Sequence, residues 1–234
     1  MIPLKDNNPT EITPYVTYTL IVVNILVFIY EISLSPQALS AFLQLAAVVP
    51  KELSLSFAGI SVNQPVPEWA TLITAQFLHG GFLHLAGNML FLWIFGNNVE
   101  DKLGHIKYLL FYLLCGVLAS LTQWFFTQNS SIPSLGASGA IAGVMGAYII
   151  RFPRAEILTL IPLGILFPTI WIPAYFFLGI WFIQQAFFSF ASLETPTNIG
   201  MESGGIAYWA HAGGFVFGVM IAPFLGLFND RYQR

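Results

Sequence analysis

Apolar residues run along this chain in blocks long enough to cross a bilayer, and polar residues break the blocks at a few points. A hydrocarbon layer of about 30 Å takes about 20 residues of helix. Four stretches meet that length: Tyr15–Leu34, Ile106–Thr127, Ile170–Phe190 and Gly205–Phe228. Two shorter stretches, over residues 82–98 and 138–150, are each entered through polar or glycine-rich sequence and bring the number of expected spans to six. The uncharged run Ile157–Phe190 is too long for one span and is divided by Pro162, Pro168 and Pro173. Its first half is expected to lie at the interface or to re-enter the membrane. The loop from Ser35 to about Gly81 is rich in apolar residues and carries Trp69, which suits the outer interface. With no fixed-period repeat and no low-complexity linker, residues 1–234 are expected to form one all-α, polytopic domain.

Composition agrees: 56% of residues are hydrophobic and 8% charged, with a mean hydropathy of +0.74, values that mark an integral membrane protein. No basic cluster accompanies the net charge of -3, so no nucleic-acid partner is expected. The single cysteine, Cys115, lies in an apolar run and reads as a small core residue. The first apolar run follows a segment whose one basic residue is Lys5 and lacks a small-residue cleavage site, so it reads as a retained span.

Six spans put both termini on one side. Seven of the eight basic residues, Lys5, Lys102, Lys107, Arg151, Arg154, Arg231 and Arg234, then share that side, and Lys51 falls on the other. Positive residues gather in the cytoplasm, so both termini are expected there. A seventh span over Ile157–Phe167 would carry the C-terminal arginines outside.

Polar side chains are costly at membrane depth and are functional candidates by default. His84 and Asn88 in "HLAGN", Ser138 in "GASG" and His211 in "AYWAHAGG" stand out. Ser138 is 13 residues (151 minus 138) from cytoplasmic Arg151, about 20 Å along a helix and so roughly 10 Å below the outer surface. His84 is also 13 residues (97 minus 84) from Asn97 at the inner end of its span, and His211 lies about 9 Å in from Gly205. Three residues far apart in sequence share one level. Gly139, Gly143 and Gly146, with Ala207, Gly214 and Gly218, form small-residue stripes that let two helices approach closely.

A serine hydroxyl becomes a nucleophile when a base within hydrogen-bond reach takes its proton. Desolvation favours the uncharged imidazole, the form able to act as that base. Oxyanion donors are available in the amide of Asn88, a ring N–H of His84 and the backbone N–H of Ser138. The one acid inside an expected span, Glu31, lies closer to the outer end, where it reaches the interface or pairs locally. The inventory therefore favours a Ser–His dyad over a triad.

These residues resemble the rhomboid intramembrane serine proteases, from about Thr10 to Phe228, through "HGGFLHLAGNMLFLWIFGNNVEDKLG", "GASGAIAG" and "AYWAHAGGFVFG". The resemblance implies a rhomboid-like bundle of six helices with Ser138 as nucleophile, His211 as general base and acid, and His84 and Asn88 lining the oxyanion site. It gives His79, Gly136 and Gly139 supporting places. It further implies single-span membrane proteins as substrates, a site open to the outside and residence in a bacterial plasma membrane. Two positions depart from the family pattern. Trp69 is followed by Ala70 where an arginine is common, and Ala142 stands where some members carry a tyrosine stacked on the catalytic histidine. The residue that orients His211 is then unassigned.

Each residue also has a structural reading. Ser138 suits a helix N-cap, and His211, His84 and Asn88 suit interhelical hydrogen bonds. His105, in "DKLGHIK", reads as a solvated loop residue. Shared depth and motif together favour catalysis. A non-catalytic relative that binds membrane clients is the alternative. A transporter would call for paired charges or inverted repeats, and neither occurs. No cofactor is expected, and a metal site is disfavoured because no H-E-x-x-H occurs and His84 with His211 supplies two clear ligands.

Overall fold

The computed structural model describes residues 1–60, 65–194 and 207–229. Its helices are α1 (Tyr15–Ser33), α2 (Pro36–Ala46), α3 (Pro50–Phe57), α4 (Glu68–Thr74), α5 (Phe82–Leu103), α6 (His105–Thr127), α7 (Ser138–Arg151), α8 (Ala174–Glu194) and α9 (Tyr208–Ile221). Helices α1, α6, α8 and α9, the last with its 3-10 extension Ala222–Leu225, are long and apolar enough to cross a membrane. Helix α4 with the short 3-10 turn Ala75–Phe77 meets α5 at 82° across the break that holds His79. The chain is thus a polytopic helical membrane protein, with three short helices in the loop expected at the outer interface.

Helix α7 is the centre of the bundle. At 14 residues it is about 21 Å long, and every side chain from Gly139 to Tyr148 is buried. Its glycines set its distance from the neighbours. A methyl group at Gly139 would overlap the Ala119 side chain, one at Gly143 the Cys115 side chain, and one at Gly146 the Phe215 carbonyl. From the facing helix, Gly214 and Gly218 lie against the carbonyls of Gly139 and Gly143. The expected stripes therefore bring α7 and α9 into backbone contact, and Cys115 is a buried core residue.

The start of α1 has no side-chain cap of its own, because Pro14 occupies that place. Glu100 of α5 supplies one: its carboxylate accepts from the N–H of Val16 at 2.9 Å and of Thr17 at 2.7 Å, and from the Thr17 hydroxyl at 2.7 Å. Asp101 accepts from the N–H of Glu11 and Ile12. A negative group at a helix N-terminus meets both the unpaired donors and the positive end of the helix dipole. The Glu100 carboxylate also lies 2.6 Å from Nδ1 of His105. His105, expected as a solvated loop residue, instead opens α6 and is held in this cluster.

The segment after Arg151 does not form a membrane helix. Residues Glu156–Leu160 form β2 and Thr169–Pro173 form β3, an antiparallel hairpin that β1 (Ile2–Asp6) completes as a sheet of order β1-β2-β3. Residues 170–173, expected to begin a span, end this sheet, and the helix starts at Ala174. Pro162, Pro168 and Pro173 oppose a helix here. Ile157 and Thr159 alternate inward as a half-covered strand requires. Asp6 ties the sheet to the bundle by accepting from the Tyr148 hydroxyl at 2.6 Å. Burial raises the Asp6 carboxyl above its ordinary range, and the Tyr148 bond opposes that shift.

Candidate active site

Ser138 and His211 are 73 positions apart and meet in one hydrogen bond, His211 Nε2 to Ser138 Oγ at 2.7 Å. Ser138 is the first residue of α7 and does not act as its cap: the N-cap position is Ala137, with no side-chain cap bond. The structural reading of this serine is thereby replaced. Its hydroxyl faces imidazole, and its N–H belongs to the first turn, where no intrahelical acceptor exists.

The turn into α7 bends around a second histidine. Gly136, at φ +126°, would place a methyl group 2.9 Å from Cε1 and 3.0 Å from Nε2 of His84, and 3.6 Å from Ser138 Oγ. Both the backbone angle and the space exclude a side chain there. His84 Nδ1 accepts from the N–H of Gly80 at 3.3 Å, so a neutral His84 carries its proton on Nε2, the nitrogen beside Gly136. Asn88 stands one turn further along α5 and is 8% exposed. Its Nδ2 is buried with no acceptor among the described residues. Such a donor is costly unless a ligand or water meets it.

His79 sits behind this pair. Its ring lies 5.2 Å from that of His84, and its backbone N–H donates to both oxygens of the buried Glu31 carboxylate at 3.2 Å. Glu31 thus pins the break between α4 and α5, a long-range contact in place of the expected interfacial or local one. Gly139 acts through packing, against Ala119 of α6.

Sequence reasoning missed one residue here. Gln185 of α8, 7% exposed, places Oε1 at 2.8 Å from His211 Nδ1. One turn earlier on the same face, Trp181 sets its ring 5.8 Å from the imidazole at an interplanar angle of 32°. The signal was present: Gln184 and Gln185 are the polar pair inside an otherwise apolar run. Among the described residues no group of three or more His, Cys, Asp or Glu is arranged to hold a metal. The glycine-containing loop Thr197–Gly205, which the sequence offers as a lid over an entry route for substrate, lies outside the described residues.

Comparison with known proteins shows the family. The chain is 32% identical over 168 residues to Rhomboid protein 1, mitochondrial, of Saccharomyces cerevisiae, covering 70% of this chain and 44% of that one. It is 39% identical over 140 residues to Rhomboid protease GluP of Bacillus subtilis, covering 58% and 24%. To Rhomboid-like protein 11, chloroplastic, of Arabidopsis thaliana it is 38% identical over 84 residues, covering 36% and 30%. In each case the chain spans less than half the length of the relative. The family model for the Rhomboid domain matches residues 66–228, from the broken α4–α5 pair past the end of α9. With the matched segment holding Ser138, His211, His84 and Asn88, the chain belongs to the rhomboid family.

Proposed function

We propose that this chain is an intramembrane serine endopeptidase that cuts single-span membrane proteins near the outer end of their helix. The observation that carries the reading is the 2.7 Å contact between His211 Nε2 and Ser138 Oγ, made by an imidazole whose other nitrogen is also engaged. Relatives named as proteases support a hydrolase.

His211 Nε2 takes the hydroxyl proton as Ser138 Oγ attacks the scissile carbonyl. Negative charge then develops on the carbonyl oxygen. The Nδ2–H of Asn88, the Nε2–H of His84 and the N–H of Ser138 are the donors offered to it. Collapse breaks the C–N bond, His211 returns the proton to the leaving amine, and an acyl-enzyme remains on Ser138. Water, deprotonated by the same nitrogen, releases the acid.

A peptide bond within a helix is shielded by its own hydrogen bonds, so the substrate segment unwinds before attack. Small residues at the cleaved bond, with Gly or Pro nearby, suit that requirement. The site opens to the outer face, and both termini lie in the cytoplasm, as the distribution of basic residues favours; a bacterial plasma membrane is the setting that the family resemblance implies.

Reconstitution with a single-span substrate tests the reading. Ser138→Ala and His211→Ala are each expected to lower kcat by about 10³-fold or more. Cleavage at the wild-type rate by either variant sinks the dyad.

A further inference from the structure

We infer that Gln185 is a positioning residue for His211, holding the imidazole in the one tautomer that can serve Ser138. This rests on the dyad reading. A neutral imidazole has one N–H and one lone pair. To take the serine proton, Nε2 must present its lone pair to Oγ, so the ring proton must sit on Nδ1. A proton on Nδ1 in apolar surroundings needs an acceptor, and the carbonyl oxygen of Gln185 lies 2.8 Å away.

The alternative arrangement fails on the same grounds. Were the NH2 end of the amide turned to His211, Nδ1 would have to accept and Nε2 would carry the proton, giving Ser138 a donor where it needs a base. The orientation of one amide thus decides whether the dyad is competent. A carboxylate in this place would also accept from Nδ1–H, at the cost of a buried negative charge. A neutral amide orients the ring at a lower desolvation cost.

The backbone that carries Gln185 is held. The Gln185 backbone carbonyl accepts from the buried Ser189 hydroxyl at 2.8 Å, and α8 packs on α9 through the stacked pair Phe182 and Phe215 at 4.7 Å. Trp181, four residues before, sets its ring beside the imidazole, with centroids 5.8 Å apart and planes tilted by 32°. The α8 residues at i and i+4 thus meet one ring: Trp181 lies beside it and Gln185 fixes its proton.

The test compares wild type with Gln185→Met, which keeps the volume and removes the strong acceptor, and with Gln185→Glu, which restores acceptor oxygens. Two readouts are taken in the full-length protein in detergent. Steady-state cleavage of the single-span substrate gives kcat and KM. The nitrogen-15 spectrum of histidine-labelled protein, with four histidines to resolve and His211 assigned by its substitution, gives the tautomer.

Gln185→Met is expected to lower kcat by on the order of 10- to 100-fold, less than loss of the base itself, with KM within about twofold and a mixed His211 tautomer. Gln185→Glu is expected to recover most of kcat and the Nδ1–H form. Unchanged kcat and tautomer in Gln185→Met overturn the inference. So does a Gln185→Glu variant as impaired as Gln185→Met with the same mixed tautomer. A wild-type protein that does not cleave, yet shows an Nδ1–H tautomer that Gln185→Met abolishes, sinks the peptidase reading and leaves the positioning role intact.

Discussion

Gly136 shows how much one residue decides at this site. Its φ of +126° lies where side chains are strained, and a methyl group would press on the His84 ring beside the Ser138 hydroxyl. Gly136→Ala is therefore expected to displace His84 from its proposed place at the oxyanion site. We predict kcat lower by about 10- to 100-fold, with fluorophosphonate labelling of Ser138 retained at a reduced rate. The comparison of kcat and labelling rate with wild type checks it, and equal kcat would contradict the placement of His84. At this scale the sequence was informative where polarity is scarce. Ser138, His84, Asn88 and His211 stand out because an apolar layer leaves few reasons for them. Gln185 carries the same signal but escapes notice. It is flanked by Gln184, and only the packing of α8 against α9 tells which of the two meets the histidine.

Among the elements, α7 is placed by its glycines and α1 by a carboxylate on another helix. Glu100 accepts three hydrogen bonds from the first turn of α1, two of them from backbone N–H groups. Glu100→Ala is expected to cost about 2–3 kcal/mol, since bonds to a charged group in a buried place are among the stronger ones. Its effect is predicted to fall on thermal stability and on protease resistance of residues 1–14, with kcat at low temperature within about twofold. A melting curve beside an activity assay separates the two. The spans could be read from the sequence because hydropathy and length constrain them strongly. The sheet could not. Residues 157–173 form an uncharged apolar run, which reads as membrane segment until prolines and the pairing of β1 with β2 are seen together, and that pairing joins positions about 155 apart in the chain. Glu100 as a cap was hidden for the same reason, since its partners lie 83 and 84 residues away.

For the whole molecule, a short central helix packed against α5, α6, α8 and α9 is how the proposed hydrolytic site would stand inside a lipid layer. Helix α7 is about 21 Å long against a core of about 30 Å, so one of its ends is sunk below the surface, and Ser138 is at an end. Topology fixes which surface that is. With the buried Cys115 as the native thiol, single cysteines at Lys5, Arg154 and Lys51 report sidedness to an impermeant thiol reagent. Lys5→Cys and Arg154→Cys are expected to label from the same side, and Lys51→Cys from the opposite one. Labelling of all three from one side would contradict the six-span arrangement.

The central claim is that His211 activates Ser138. Its most direct measurement is the mass of the Ser138 peptide after treatment with a fluorophosphonate, which reacts with an activated serine. We predict a stoichiometric adduct on Ser138 in the wild-type protein and about 10³-fold slower modification in His211→Ala. An adduct on another residue, or equal labelling of Ser138 without His211, would contradict the account.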